Sequence, residues 1–182
     1  MKYFLVFLLL TGLKNEKVLW EKIKNFYLNL KTLSGQFLQR ECDEESGVCV
    51  EYRGKFYIKK PYYLRLEITE PENWLVISDK ESIYFYYQKD SLYQKLSIKE
   101  FNPFLIFFTF TQDTLFPIIK EKDKKYYLLE FPFKDYRLNL RIRKKELMID
   151  KIDYQWKKKK LEIYLFSQKL NKVLADTLFI KK

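Results

Sequence analysis

Leu64, Leu66 and Ile68 alternate with Arg65 and Glu67, and that period of two recurs in segment after segment of this 182-residue chain. Side chains that alternate apolar and polar put one face of a strand on a core and the other in water, the pattern of a one-sided antiparallel sheet. Residues 37–41 (leading into a hairpin), 48–60, 64–68, 74–78, 82–87 and 91–95 read as such strands. Asp79-Lys80-Glu81 and Gln88-Lys89-Asp90 separate the last three, and connections that short join consecutive strands antiparallel. The pattern resumes at 126–131, 136–143, 147–155 and 160–167, with a last short strand expected around Leu178-Phe179-Ile180. Leu138, Leu140 and Ile142 face one way, and Arg137, Arg141, Arg143 and the run Lys157-Lys158-Lys159-Lys160 make the other face basic.

Two stretches break the alternation. Between residues 15 and 33, Leu19, Ile23, Phe26, Leu30 and Leu33 recur at helical spacing, with Glu21, Lys24, Asn25 and Lys31 opposite and Ser34-Gly35 as the stop. An amphipathic helix of this kind lies on a surface and buries one side. Around residues 98–116, Asn102-Pro103 opens the run Phe104-Leu105-Ile106-Phe107-Phe108-Thr109-Phe110, with proline at a helix-starting position, and a second helical piece is expected from Asp113 to about Ile118. This insert is too apolar for a surface loop and too short to span a bilayer. The fold class is mainly β with α: one long curved antiparallel sheet with the N-terminal helix and the mid-chain insert on its concave face. Helices on an incompletely closed sheet leave a seam, and aromatics, 19% of the chain, make that seam an apolar pocket.

Composition then removes whole function classes. There is no histidine, which excludes Ser-His-Asp and Cys-His nucleophiles and histidine-bearing metal sites. The four glycines, Gly12, Gly35, Gly47 and Gly54, are too scattered for a phosphate-cradling loop. Asp/Glu pairs exist, but no spacing singles one out as catalytic, so the chain reads as a binder and not an enzyme, with neither cofactor nor metal expected. The length suits one domain. The formal charge of +11 would attract phosphates, anionic headgroups or acidic proteins without choosing among them.

Met1-Lys2 precedes the apolar run Tyr3–Leu10 and then Thr11-Gly12, the order of a secretory signal peptide. Residues 1–12 are therefore read as the signal, cleaved near Gly12, and residues 13–182 as the functional domain. No cysteine follows the apolar run, so no lipid anchor on an N-terminal cysteine is expected. Cys42 and Cys49 flank a hairpin tip with Ser46-Gly47 as the turn signal. A disulfide, an unpaired thiol pair and, least favoured, half of a metal site are the readings open to them.

The stretches Thr32-Leu33-Ser34-Gly35-Gln36-Phe37-Leu38-Gln39, Gly54-Lys55-Phe56-Tyr57-Ile58-Lys59-Lys60-Pro61, Leu64-Arg65-Leu66-Glu67-Ile68-Thr69-Glu70-Pro71 and Trp74-Leu75-Val76-Ile77-Ser78-Asp79 with Ile83-Tyr84-Phe85-Tyr86 resemble, in order and spacing, the periplasmic outer-membrane lipoprotein carrier family, LolA. Asn102-Pro103-Phe104 is a weaker match to the opening of that family's lid helix. The resemblance implies an unclosed antiparallel β-barrel, lidded by helices, whose hydrophobic cavity takes lipoprotein acyl chains. It also implies a monomeric periplasmic chaperone that receives acylated lipoproteins from an inner-membrane ABC exporter and delivers them to an outer-membrane lipoprotein acceptor. By strand parity and helix spacing, Phe56, Ile58, Leu64, Leu66 and Ile68 are expected on the cavity face, with Leu19, Ile23, Phe104, Phe107 and Phe108 from the helices. The family's latch arginine before the strand-ending proline is replaced here by Lys60, which offers a point charge without the planar fork.

Two other functions compete. A periplasmic lipid-binding or sensor module would keep the fold and change the partner. A basic nucleic-acid binder would use the aromatics for stacking, but the basic residues are spread over many strands and the signal segment points to export.

Overall fold

The computed structural model describes residues 2–79, 81–87, 93–97, 116–121 and 123–180. Helix α1 (Lys2–Asn29) precedes the strands β1 (Thr32–Asp43), β2 (Cys49–Lys59), β3 (Tyr63–Glu70), β4 (Trp74–Ser78), β5 (Ser82–Tyr87), β6 (Tyr93–Ser97), β7 (Ile118–Glu121), β8 (Tyr126–Phe131), β9 (Tyr136–Arg143), β10 (Ile149–Trp156) and β11 (Lys159–Leu170). All strand pairs are antiparallel, in the order β6-β5-β4-β3-β2-β1-β11-β10-β9-β8-β7. Two meanders, β1 to β6 and β7 to β11, are thus fused through the long β1–β11 pair, and β6 and β7 remain as outer edges. This is the curved, unclosed sheet that the alternation implies.

Aspartates set several of the turns. Asp43 Oδ1 accepts the N–H groups of Glu45 and Ser46 at 3.0 and 2.9 Å. Asp79 Oδ1 does the same for Glu81 and Ser82 at 2.8 Å each, and Asp123 Oδ1 for Lys125 and Tyr126 at 2.6 and 2.9 Å. A carboxylate that caps its own turn fixes the hairpin locally, without help from the core. At Gly54 the register of β2 against β3 shifts, and a Cβ there would lie 2.1 Å from the Glu67 carbonyl oxygen. Only glycine allows the two backbones to approach that closely.

The core fills the concave side. Phe56 stands opposite Leu66, Leu66 opposite Val76 and Val76 opposite Phe85. In the other half Ile152 stands between Leu140 and Ile163, and Phe37 opposite Leu165 links the halves. The outward positions form cross-strand charge pairs, such as Arg141 Nε with Asp150 at 2.8 Å and Lys151 with Glu162 at 2.7 Å.

Four expectations need correction or fall elsewhere. The helix ends at Asn29, and Leu33 belongs to β1, where it is buried opposite Ile58 and Leu170. Its spacing fits a helical stripe and a strand equally well, and pairing on both sides decides for the strand. Ile118 begins β7, opposite Glu130, and is not the end of a helical piece. The expected last strand is a 3-10 turn, Asp176–Phe179, laid on the outer face of β3 by Arg65 Nη1 donating to Leu178 O at 2.8 Å and by the Tyr63–Phe179 ring contact. With both edges of β3 already hydrogen-bonded to β2 and β4, a further strand has no edge to join there. The insert with Phe104, Phe107 and Phe108 lies outside the described residues.

Candidate functional site

The concave face and the helix across it form the site. Trp20, Ile23 and Tyr27 are the buried stripe of α1, continued by Leu30 just past its end, with Leu19 and Phe26 packed at its margin. The stripe is therefore turned by about one residue from the one spaced through Leu19 and Phe26. Residues 20, 23, 27 and 30 follow the same helical spacing, and the indole and phenol there, amphipathic side chains, are the larger ones to bury. From the sheet, Phe56, Ile58, Leu64 and Leu66 are buried in the same cluster, and Ile68 packs against it. Seven of the expected residues, Leu19, Ile23, Phe56, Ile58, Leu64, Leu66 and Ile68, thus belong to or pack against one hydrophobic cluster. Sequence reasoning missed Trp20 and Tyr27.

Among the polar contacts that tie α1 down, two pass through Tyr27. Its hydroxyl accepts the backbone N–H of Ile149 at 2.7 Å, inside the core, where β10 bulges against β9. Burial pushes the phenol well above its ordinary range, so it stays neutral and serves only as a hydrogen-bonding group. Its carbonyl oxygen accepts from Lys60 Nζ, which also lies 3.5 Å from Leu28 O. An ammonium on the last carbonyls of a helix satisfies orphan acceptors and faces the negative end of the dipole. Burial holds the Lys60 ammonium below the usual lysine range. The Lys60 N–H donates to Lys31 O at 2.9 Å, so the β2–β3 turn grips the helix exit twice.

Cys42 and Cys49 face each other as the last pair of the β1–β2 ladder and are disulfide-bonded. Beside them Lys158 pairs with Glu45 at 3.0 Å, so part of the lysine run is neutralised within the protein. Among the described residues, no three His, Cys, Asp or Glu side chains come together as metal ligands, and no helix is long and apolar enough to cross a membrane.

The chain matches the sequence model of a family described as outer membrane lipoprotein carrier protein LolA over residues 28–182. No curated protein sequence matches it. In fold it is similar to a LolA superfamily protein from Nitrosomonas europaea, at 13% identity and a TM-score of 0.54, with 91% of this chain and 97% of that one covered. A DUF1329 family protein from Desulfovibrio piger gives 14% identity and a TM-score of 0.54, covering 92% and 96%. MucB gives 9% and 0.52, with 90% of this chain laid on 62% of that one. At these identities the likeness speaks for the fold alone.

Proposed function

Because the chain belongs to the LolA family of outer membrane lipoprotein carrier proteins, we propose that it is a periplasmic carrier that shelters lipoprotein acyl chains between α1 and the concave face and moves them from the inner to the outer membrane. One observation carries this reading: α1 and the residue that follows it rest on an apolar sheet face through four large side chains, Trp20, Ile23, Tyr27 and Leu30. Burying each of those side chains contributes roughly 1.5–3 kcal/mol, or about 6–12 kcal/mol for the stripe. An acyl chain of about 14 methylenes gains roughly 11 kcal/mol on leaving water. The two sums are close, so an acyl chain can replace the helix stripe on the same surface at little net cost. Uptake and release are then governed by contacts worth a few kcal/mol, as reversible transfer requires.

Lys60 is the latch in this scheme. It lacks the fork of an arginine but reaches the helix-end carbonyls as a point charge, and withdrawing it frees the C-terminal turn of α1. Leu19, Ile23, Phe56, Ile58, Leu64, Leu66 and Ile68 line the acyl site, with Phe104, Phe107 and Phe108 as its lid. The Cys42–Cys49 disulfide suits an oxidising compartment, in keeping with residues 1–12 as a cleaved signal. The inferred partners are acylated lipoproteins, an inner-membrane ABC exporter and an outer-membrane acceptor, with the carrier itself monomeric.

The test is to purify the protein from the periplasm and identify what accompanies it by mass spectrometry. Acylated lipoproteins are the expected cargo. Recovery of free lipid with no acylated protein would assign a lipid-binding module instead, and an empty protein in cells rich in lipoproteins would overturn the carrier reading.

A further inference from the structure

The sheet has two rims, and their charges differ. At one rim α1 gives way to β1, β11 ends, and the β2–β3, β7–β8 and β9–β10 turns lie. Hydrogen bonds join these pieces side by side: the Lys60 N–H donates to Lys31 O and the Asn171 N–H to Thr32 O, each at 2.9 Å, while Gln168 Nε2 donates to Ile149 O and the Lys144 N–H to Lys125 O, each at 2.8 Å. Lys31, Lys124, Lys125, Lys145 and Lys172 stand exposed along this rim, and none of the five has a side-chain hydrogen bond or ion pair among the described residues. Acids between them are engaged: Asp123 accepts two amides of its own turn, and Glu146 lies 4.0 Å from Arg143. At the opposite rim the β1–β2 tip, with Asp43, Glu44 and Glu45, meets the β10–β11 turn, where Lys158 pairs with Glu45 at 3.0 Å. β11 is 12 residues long, so about 40 Å separates the rims along it. That is several Debye lengths, and the two ends present separate fields to anything that approaches.

The basic rim also holds out an apolar side chain. Past β11 the chain is pinned on both sides of Val173: Thr32 Oγ1 donates to Lys172 O at 2.6 Å, and Lys59 Nζ to Leu174 O at 3.2 Å. Val173 between them is 99% exposed. A single exposed valine is ordinary on a protein surface. This one is held in place, with Lys172 next to it in the chain and Lys31 bonded to the same segment through its N–H, which donates to Asn171 Oδ1 at 2.9 Å. Cations around a protruding apolar group match the interface of an anionic bilayer, where ammonium groups meet headgroup phosphates and the apolar group enters the acyl boundary. An acidic protein surface or a nucleic acid would satisfy the lysines and leave Val173 in water.

We propose that this rim docks on the surface of a bilayer rich in anionic lipid, with Val173 inserted below the headgroups. The docking goes beyond the carrier reading and needs no cargo. The probe is lipoprotein-free vesicles of about 30% phosphatidylglycerol in phosphatidylcholine, with binding followed by co-sedimentation. Binding is expected at about 20 mM salt, should fade toward about 500 mM, and should be absent on pure phosphatidylcholine. Lys31→Gln combined with Lys172→Gln should weaken it about twenty-five-fold, or about fivefold per lysine. Lys157→Gln combined with Lys158→Gln, at the other rim, should change it by no more than about twofold. In Val173→Cys the new thiol is the one open to labelling, because Cys42 and Cys49 are bridged. A polarity-sensitive fluorophore there should shift to the blue on the anionic vesicles and stay unshifted with poly-glutamate or DNA. Equal weakening by the two lysine pairs would reduce the effect to net charge and overturn the proposal. So would failure to bind the anionic vesicles, or binding without the blue shift. Because the vesicles carry no lipoprotein, failure here leaves acyl carriage standing, and recovery of an empty protein from the periplasm leaves the docking standing.

Discussion

Tyr27→Phe removes one oxygen atom from the centre of the protein and leaves the ring where it packs, edge-on to Phe26 at a centroid distance of 5.1 Å. The oxygen is the acceptor for the N–H of Ile149, a residue with no exposed surface, over a distance of 2.7 Å. Without it a buried backbone donor loses its partner, at a cost of about 1–3 kcal/mol. A domain of this size loses roughly 2–4 °C of melting temperature per kcal/mol, so the midpoint should fall by roughly 2–12 °C. The more specific readout is hydrogen exchange. If α1 opens locally from the sheet, the amide of Ile149 exchanges through that opening, and its protection should drop by about five- to two-hundredfold. Amides in the β1–β11 ladder, which need global unfolding to exchange, should change by no more than the shift in overall stability. An unchanged midpoint with unchanged exchange at Ile149 would refute the view that Tyr27 anchors the helix. Equal acceleration at Ile149 and in the β1–β11 ladder would refute local opening.

Other perturbations test neighbouring links. Lys60→Ala removes the ammonium from the carbonyls of Tyr27 and Leu28; cargo transfer between vesicles should speed up or retention weaken, and unchanged transfer kinetics would count against the latch. Gly54→Ala drives a methyl group onto backbone, 2.1 Å from Glu67 O, and should destabilise by about 2 kcal/mol or more, measured by urea denaturation. The hydrogen bond from Lys151, 2.7 Å away, holds the Glu162 carboxyl below the usual carboxylate range. Its folded pKa is thus lower than its unfolded one, so its contribution is present above the ordinary carboxylate pKa and is lost as pH falls through the depressed value. Thermal melts from pH 6 down to about 2 should therefore show a shallower acid loss in Glu162→Gln than in the wild-type chain.

Local patterns were legible residue by residue. The bounds of β4, β5, β8 and β9 follow directly from alternation closed by polar turns, because an aspartate such as Asp79 completes its turn with groups two and three residues away. Phe56, Ile58, Leu64 and Leu66 reach the core because parity fixes the face of a strand once one residue is known. Parity has no counterpart in a helix whose stripe can turn by one position, which is why Leu19 packs only at the margin of the buried face while Trp20 and Tyr27 lie within it. The short β7 and the 3-10 turn at Asp176–Phe179 were misread because only their neighbours, β8 in one case and the outer face of β3 in the other, decide their form.

By itself the amino-acid order determined a one-sided antiparallel sheet, an amphipathic helix near the start, and a chain without histidine, hence without Ser-His-Asp or Cys-His nucleophiles and histidine-bearing metal sites. These depend on period, turn residues and composition, all local quantities. Tertiary structure alone decided that β1 pairs with β11, that Lys60 meets the carbonyl of Tyr27, 33 positions away, and that the Tyr27 hydroxyl meets the amide of Ile149, 122 positions away. It also decided which charges are paired on the outer face, Arg141 with Asp150 and Lys151 with Glu162. Such contacts depend on how sheet curvature brings distant segments together, and neither spacing nor periodicity records that distance.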